Sequence, residues 1–174
     1  MPSLNPIEAP EHVLKLLSEL HKTSLDQEAT INPGRTKFFS TDQLGDLEDR
    51  QPASSNADFD KLMIDKFIAL DEDKCQFMYQ LMTATGATNV IEAGTSFGIS
   101  TIYLALAVAK NKAATGREGK VIATEKEPEK AAVARKYWKQ CGEAVEKEID
   151  LRVGDLLKTL QTDLPQVDLL LLDS

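Results

Sequence analysis

The chain has 174 residues, of which 42% are hydrophobic and 28% are charged, a composition typical of one globular domain with a hydrophobic core. Its formal net charge is −8 and it has no long basic run, which argues against a nucleic-acid partner. No apolar run reaches membrane-spanning length and no signal-peptide pattern opens the sequence, so we expect a cytoplasmic protein with no membrane partner.

The first predicted element is an amphipathic helix over residues 10–22. The apolar residues that recur at helical spacing in it are Val13, Leu14, Leu17 and Leu20. A single apolar stripe indicates a helix that docks on the protein body or on a second copy. His12 and His21, the two histidines of the chain, are expected at solvated positions rather than in catalysis.

A polar stretch at residues 23–56 follows, which we interpret as a long loop or lid. Residues 1–57 therefore form a predicted cap, lid or oligomerisation region. Residues 58–174 form the predicted main domain, which opens with a helix at residues 58–70.

A third helix is predicted between Asp71 and Gly86, a glycine suited to the left-handed residue that ends a helix. The residues expected on its buried face are Cys75, Met78, Leu81 and Met82. Neither Cys75 nor Cys141 lies at the spacing of a metal site or redox motif, so both are expected to be reduced core thiols.

From residue 89 onward, short apolar runs alternate with helical patterns. The runs that predict strands are residues 89–94, 120–127, 148–155 and 167–174. This alternation predicts an α/β fold, with a Rossmann-like parallel sheet of four strands and helices on both of its faces. The continuous apolar run of Leu169–Leu172 predicts a strand that is buried on both faces.

The loop after the first strand is the prime position for a ligand, because parallel sheets bind ligands beyond the carboxyl ends of their strands. Gly94 and Gly98 flank this loop and let the backbone approach a ligand closely. Glu92 precedes the first glycine, where a carboxylate would repel a pyrophosphate but suit a positive centre. The pattern favours S-adenosylmethionine over NAD, and an NAD-dependent oxidoreductase is the weaker alternative.

Two further acids follow the next strands. Glu125 ends the second strand, at the position where nucleoside-binding sheets place an acceptor for the ribose hydroxyls. Asp155 follows the third strand, where it either reaches the exocyclic amine of an adenine ring or fixes the loop around that ring. The order of these motifs is a stronger signal than any one of them alone.

Residues 89–174 resemble the class I S-adenosylmethionine-dependent methyltransferases, and most closely the small-molecule O-methyltransferases of the catechol and caffeoyl-coenzyme A type. VIEAGTSFGIST is similar to that family's first motif, VIATEKEPEKAAVARKYW to its second strand and the following helix, and VDLLLLDS to its fourth strand. The resemblance implies transfer of a methyl group from S-adenosylmethionine to a hydroxyl of a small aromatic acceptor.

The resemblance also implies roles for individual residues. Those that would surround the methionine part of the cofactor are Glu92, Gly94, Thr95, Ser96, Gly98 and Ser100. Glu125 would hold the ribose, and Asp155 would lie near the adenine. Asp173 would lie beside the methyl donor as a candidate catalytic residue, and in metal-dependent members an acidic residue there binds a divalent cation such as Mg²⁺. The alternative for Asp173 is a solvated acid at a strand end.

The family's sheet has seven strands in the order 3-2-1-4-5-7-6, and this sequence resembles the first four. We therefore expect an apparently truncated sheet, in which Leu169–Leu172 form an open apolar edge. Such an edge predicts a homo-oligomer or completion of the sheet by another chain. The alternatives are a fragment of a longer enzyme, or a natural short form that binds the cofactor without efficient catalysis.

Overall fold

A computed structural model of the chain describes residues 5–31, 67 and 69–173. The chain divides into two compact units, one made of Met1–His21 with Ala69–Ser174 and the other of Lys22–Ile68. The predicted domain boundary after residue 57 lies outside the described residues, as does nearly all of the predicted helix at 58–70.

A parallel sheet forms the centre of the first unit. Its strands are β1 (Val90–Ala93), β2 (Val121–Glu125), β3 (Ile149–Val153) and β4 (Leu169–Leu172). Across the sheet they lie in the order β3-β2-β1-β4, and every neighbouring pair is parallel. Val90 is in register with Val121 on one side and with Leu169 on the other. The predicted α/β fold with a four-stranded parallel sheet is confirmed.

The strands differ in how deeply they are buried. All residues of β1 and β2 are buried, including the acidic residues Glu92 and Glu125. The prediction that β4 is buried on both faces is wrong, because Leu170 and Leu172 are 54% and 69% exposed. Successive side chains of a strand point to opposite faces, so these two leucines lie on one face and their half-buried neighbours lie on the other. Among the described strands β4 pairs with β1 alone, and its outer edge is open.

The first helix, α1 (Glu11–Ile31), is longer than predicted. Residues 23–31 were expected in a loop, but they contain no glycine or proline that would end a helix, and they continue it. Within the described residues, no helix combines the length and the hydrophobicity that a membrane span requires.

The two histidines of α1 have different surroundings. His12 is exposed, as predicted. The same prediction is wrong for His21, which is buried with its Nε2 atom 2.9 Å from the hydroxyl oxygen of Tyr103. His21 follows Leu17 by one helical turn, so it shares the face that packs on the core. Burial lowers the pKa of the His21 imidazole.

The next helix in the described residues, α2 (Glu72–Thr85), begins after Asp71 and is followed by Gly86, whose φ of 70° is left-handed as predicted. Its buried face was predicted only in part. The residues that are buried on it are Cys75, Tyr79 and Met82. Leu81 is exposed, because its position lies about 100° around the helix from its neighbour Met82.

The remaining helices flank the sheet. They are α3 (Ile99–Thr115), α4 (Pro128–Cys141), α5 (Glu143–Glu146) and α6 (Leu156–Thr159). Buried Asn111 of α3 donates from its amide nitrogen to the carbonyl oxygens of Met82 and Ala87, at 2.8 Å each. These bonds hold the end of α2 against α3 and so fix the chain where it enters β1. Cys75 and Cys141 are buried free thiols, as predicted.

Asp168 holds β1 and β4 together at the amino ends of the strands. One of its carboxylate oxygens accepts hydrogen bonds from the backbone N–H groups of Thr88 and Asn89, at 2.8 and 3.0 Å, and Arg117 donates to both oxygens. These two N–H donors and the Arg117 guanidinium lower the pKa of the Asp168 carboxyl. The contacts set the register of β4 against β1 and thereby the position of its other end.

Candidate active site at the carboxyl edge of the sheet

Residues 94–98, here called the glycine loop, connect β1 to α3 in an unusual conformation. Gly94, Ser96 and Gly98 have φ angles of 94°, 50° and 77°. Glycine adopts such angles readily, whereas a left-handed serine costs on the order of 1 kcal/mol or more and needs support from its surroundings. The N–H groups of Gly94 and Thr95 both donate to the carbonyl oxygen of Thr124, at 3.2 and 2.9 Å, so the loop begins pressed against β2.

Glu125 supplies support for the strained serine. One oxygen of its carboxylate accepts the backbone N–H of Ser96 at 2.6 Å, and the other accepts the backbone N–H of Glu127 at 2.8 Å. The residue is 7% exposed. An ionised carboxylate has about four acceptor positions, so each oxygen keeps one for a further donor such as a ribose hydroxyl. The structure thus brings the predicted ribose-binding acid into contact with the glycine loop.

Glu92 is fully buried and faces away from solvent, towards the first turn of α3. Its carboxylate accepts hydrogen bonds from the hydroxyls of Thr95, Ser100 and Thr101, at 2.9, 2.6 and 2.5 Å. Burial raises the pKa of Glu92 to about 7, although the three hydroxyl donors oppose this effect. In this conformation Glu92 stabilises the glycine loop through its hydrogen bond with Thr95. Its direct contact with a cofactor stays a prediction.

Asp173 follows β4 at the same edge of the sheet. Its backbone N–H donates to the carbonyl oxygen of Ala93 at 2.9 Å, which places it next to the start of the glycine loop. The residue is half-buried, and burial raises the pKa of its carboxyl while the Lys74 ammonium opposes the increase. A raised pKa favours a carboxylate that accepts a proton. The catalytic role of Asp173 stays a prediction.

The predicted divalent cation at Asp173 stays a prediction. Within residues 5–31, 67 and 69–173, no group of three or more histidine, cysteine or acidic side chains is arranged to hold a metal ion. Divalent cations such as Mg²⁺ need several oxygen ligands. Asp173 alone does not meet that need.

Asp155 has a local role that the structure shows directly. It precedes α6, and its carboxylate accepts the backbone N–H of Leu157 at 2.9 Å. The preceding Gly154 donates its N–H to the carbonyl oxygen of Glu125 at 2.8 Å, which holds this turn beside the end of β2. Asp155 therefore caps the start of α6, and its two predicted roles, contact with an adenine or fixing the loop around that ring, stay predictions.

Two residues at the site were absent from the sequence-based predictions. Thr101 supplies the third hydroxyl to Glu92, and the density of Thr and Ser around the glycine loop was a usable signal for it. Trp138 of α4 donates its indole N–H to the carbonyl oxygen of Gly98 at 2.9 Å. No local pattern pointed to this contact, because the two residues are far apart in the sequence.

A glycine loop after the first strand of a 3-2-1-4 parallel sheet, with an acid at the end of the second strand, is the arrangement of a class I methyltransferase fold. Residues 38–174 match the model of a family described as O-methyltransferase. This chain belongs to that O-methyltransferase family.

Individual proteins agree with this assignment. The chain is 30% identical over 122 residues to a "Probable caffeoyl-CoA O-methyltransferase 2" of Dictyostelium discoideum, a match that covers 70% of this chain and 47% of the relative. The chain thus spans about half the length of the curated relatives that it matches. The predicted resemblance to small-molecule O-methyltransferases is confirmed.

Solved structures share the fold. Cofactor-bound Rv0187 from MTB is 32% identical with a TM-score of 0.53, and the match covers 62% of this chain and 45% of that one. An O-methyltransferase from Bacillus cereus, solved in complex with SAH, has the same TM-score at 24% identity, over 61% of this chain and 46% of that one.

Proposed function

We propose that the carboxyl edge of the sheet binds S-adenosylmethionine. The observation that carries this proposal is the hydrogen bond from the Ser96 N–H to the Glu125 carboxylate, which brings the glycine loop and the strand-end acid together at the carboxyl edge of the sheet. Glu125 keeps acceptor capacity for a vicinal diol, and the loop backbone is thin enough for close approach. The cofactor-bound state of the 32% identical structure supports the proposal, and so does the SAH complex of the protein that shares the fold.

We further propose that the chain takes part in methyl transfer to a hydroxyl of a small aromatic molecule. S-adenosylmethionine, when bound, supplies an electrophilic methyl group on a sulfonium. The protein's part in such a reaction is to align donor and acceptor and to accept the hydroxyl proton. Asp173 is our candidate for the proton acceptor, because it lies beside the glycine loop with a raised pKa. The name of the Dictyostelium relative supports an aromatic acceptor.

We assign no step to a metal ion. The predicted Mg²⁺ would need ligands beyond Asp173, and the described residues offer no cluster that provides them. If a divalent cation takes part, Asp173 would be one of its ligands, and the cation would lower the pKa of the acceptor hydroxyl.

A second candidate function is a cofactor-binding or assembly module without efficient catalysis. The exposed leucines of β4 favour it, since Leu170 and Leu172 make the edge strand of the described sheet apolar on its exposed face. In this proposal a second copy of the chain covers that strand.

The location of the protein in the cytoplasm also stays a prediction.

A methyl-transfer assay separates the two candidates. The full chain is incubated with methyl-labelled S-adenosylmethionine and either catechol or caffeoyl-coenzyme A, with and without Mg²⁺, and the labelled methyl ether is measured. We expect product with at least one acceptor, and we expect Asp173→Asn to abolish it while cofactor binding persists. Cofactor binding without any product would instead support the module.

A further inference from the structure

Trp138 is the last residue of the motif VIATEKEPEKAAVARKYW, to which no site role was assigned, and its side chain contacts the glycine loop. The indole Nε1 donates to the carbonyl oxygen of Gly98 at 2.9 Å, and Trp138 is 2% exposed. Gly98 is the N-cap of α3, a position whose carbonyl oxygen also serves the first turn of the helix, so the indole supplies a second donor to a buried acceptor. The contact therefore ties the end of the glycine loop to α4.

The fit between Trp138 and Gly98 leaves no spare room. A Cβ atom added to Gly98 would lie 2.6 Å from the indole nitrogen and 2.8 Å from the Cβ of Ala134. Gly98 is thus required for two reasons, its left-handed φ of 77° and its contact with the indole ring. The ring in turn determines where the backbone of Gly98 lies.

The glycine loop is held by the β2–α4 segment along its whole length. Two N–H groups at its start donate to the carbonyl oxygen of Thr124, and an N–H in its middle donates to the Glu125 carboxylate. Trp138 holds its end, where the chain turns into α3. The same segment carries the proposed ribose-binding acid, so one structural unit sets both the loop conformation and the position of that acid.

We propose that Trp138 is a positioning residue for cofactor binding, which holds the glycine loop in its binding conformation before the cofactor arrives. This inference rests on the proposed binding of S-adenosylmethionine. A loop that is already ordered loses less conformational freedom on binding, so the affinity is higher. Without the indole donor, a fraction of the molecules leaves the binding conformation and the apparent affinity falls by that fraction.

The test compares Trp138→Phe with Tyr79→Phe in the full chain. Trp138→Phe keeps an aromatic ring and removes the N–H donor, whereas Tyr79→Phe removes a buried hydroxyl of α2 whose partners are the N–H of Glu8 and the side chain of Lys110. Affinity for S-adenosylhomocysteine is measured by calorimetry. We expect Trp138→Phe to weaken binding about three- to tenfold, the net value of one hydrogen bond, and Tyr79→Phe to leave it unchanged.

Hydrogen exchange of the unliganded proteins gives a readout that needs no cofactor. We expect Trp138→Phe to speed amide exchange in the glycine loop relative to the unmodified chain and to Tyr79→Phe. If the unmodified chain does not bind S-adenosylhomocysteine, the proposed function fails. If it binds, three results would overturn the Trp138 proposal alone. The first is that Trp138→Phe binds S-adenosylhomocysteine as tightly as the unmodified chain, and the second is that the two exchange the amides of the glycine loop at the same rate. The third is that Trp138→Phe and Tyr79→Phe lose the same amount of affinity.

Discussion

The buried carboxyl of Glu92 makes the stability of this protein depend on pH in a specific direction. Its pKa rises from 4.5 to about 7 on folding, chiefly because burial disfavours the charged form. The folded state therefore binds a proton more readily than the unfolded state between these values. The stability from this carboxyl is fully present below pH 4.5 and is lost as the pH rises to about 7.

The replacement Glu92→Gln removes this titration and keeps an amide of similar size. At about 1.4 kcal/mol per pH unit, the interval from about pH 5.5 to about pH 7 corresponds to about 2 kcal/mol. The free energy of unfolding of the unmodified protein should therefore fall by about 2 kcal/mol relative to that of Glu92→Gln between about pH 5.5 and about pH 8. The difference between the two proteins isolates Glu92, because other acids titrate in both.

Urea unfolding across this pH range measures the difference. Glu129→Gln is the matched control, since it removes an exposed acid from the first turn of α4 and shows the effect of one surface charge. If the free energies of Glu92→Gln and the unmodified protein run parallel from about pH 5.5 to about pH 8, the buried charge is not costly and the reasoning is refuted.

Three further predictions concern the loop, the strand-end acid and the sheet edge. Gly94→Val should abolish binding of S-adenosylhomocysteine, because a branched side chain is strained at a φ of 94°; unchanged affinity by calorimetry would contradict the loop assignment. Glu125→Ala should weaken that binding about ten- to a hundredfold, which is the value of a hydrogen bond to a charged group. If the unliganded variant instead loses thermal stability relative to the unliganded unmodified protein, by an amount that accounts for the lost binding, the role of Glu125 is structural. Leu172→Lys should reduce self-association in sedimentation, whereas an unmodified chain that is monomeric at high concentration would refute assembly through β4.

The sheet and its ligand-binding edge were predictable because their signals are local. Buried parallel strands need apolar runs, a thin loop needs glycine, and strand-end acids follow those runs directly. These signals alone place Gly94, Glu92 and Glu125 at one edge of the sheet. Their hydrogen-bond partners were not predictable at the same level. Glu92 accepts hydrogen bonds from three buried hydroxyls, and its position near a strand end did not predict these partners.

The features that were missed depend on contacts between distant parts of the chain. The sequence around Trp138 is typical of a core aromatic residue in a helix. Its hydrogen bond to Gly98 forms only because the sheet places α4 beside the glycine loop. His21 reads as a surface residue until Tyr103 of α3 is packed against it. The exposure of Leu170 likewise depends on what covers β4, and an apolar sequence does not reveal that.

Binding of S-adenosylhomocysteine to the full chain, with NAD as the control, tests the central claim most directly. The account predicts saturable calorimetric binding of S-adenosylhomocysteine, with a Kd on the order of micromolar, and no binding of NAD. Binding of NAD alone would contradict the assignment of the glycine loop and Glu125 to a methyl donor. Binding of neither compound would contradict the claim that this edge of the sheet forms a cofactor site.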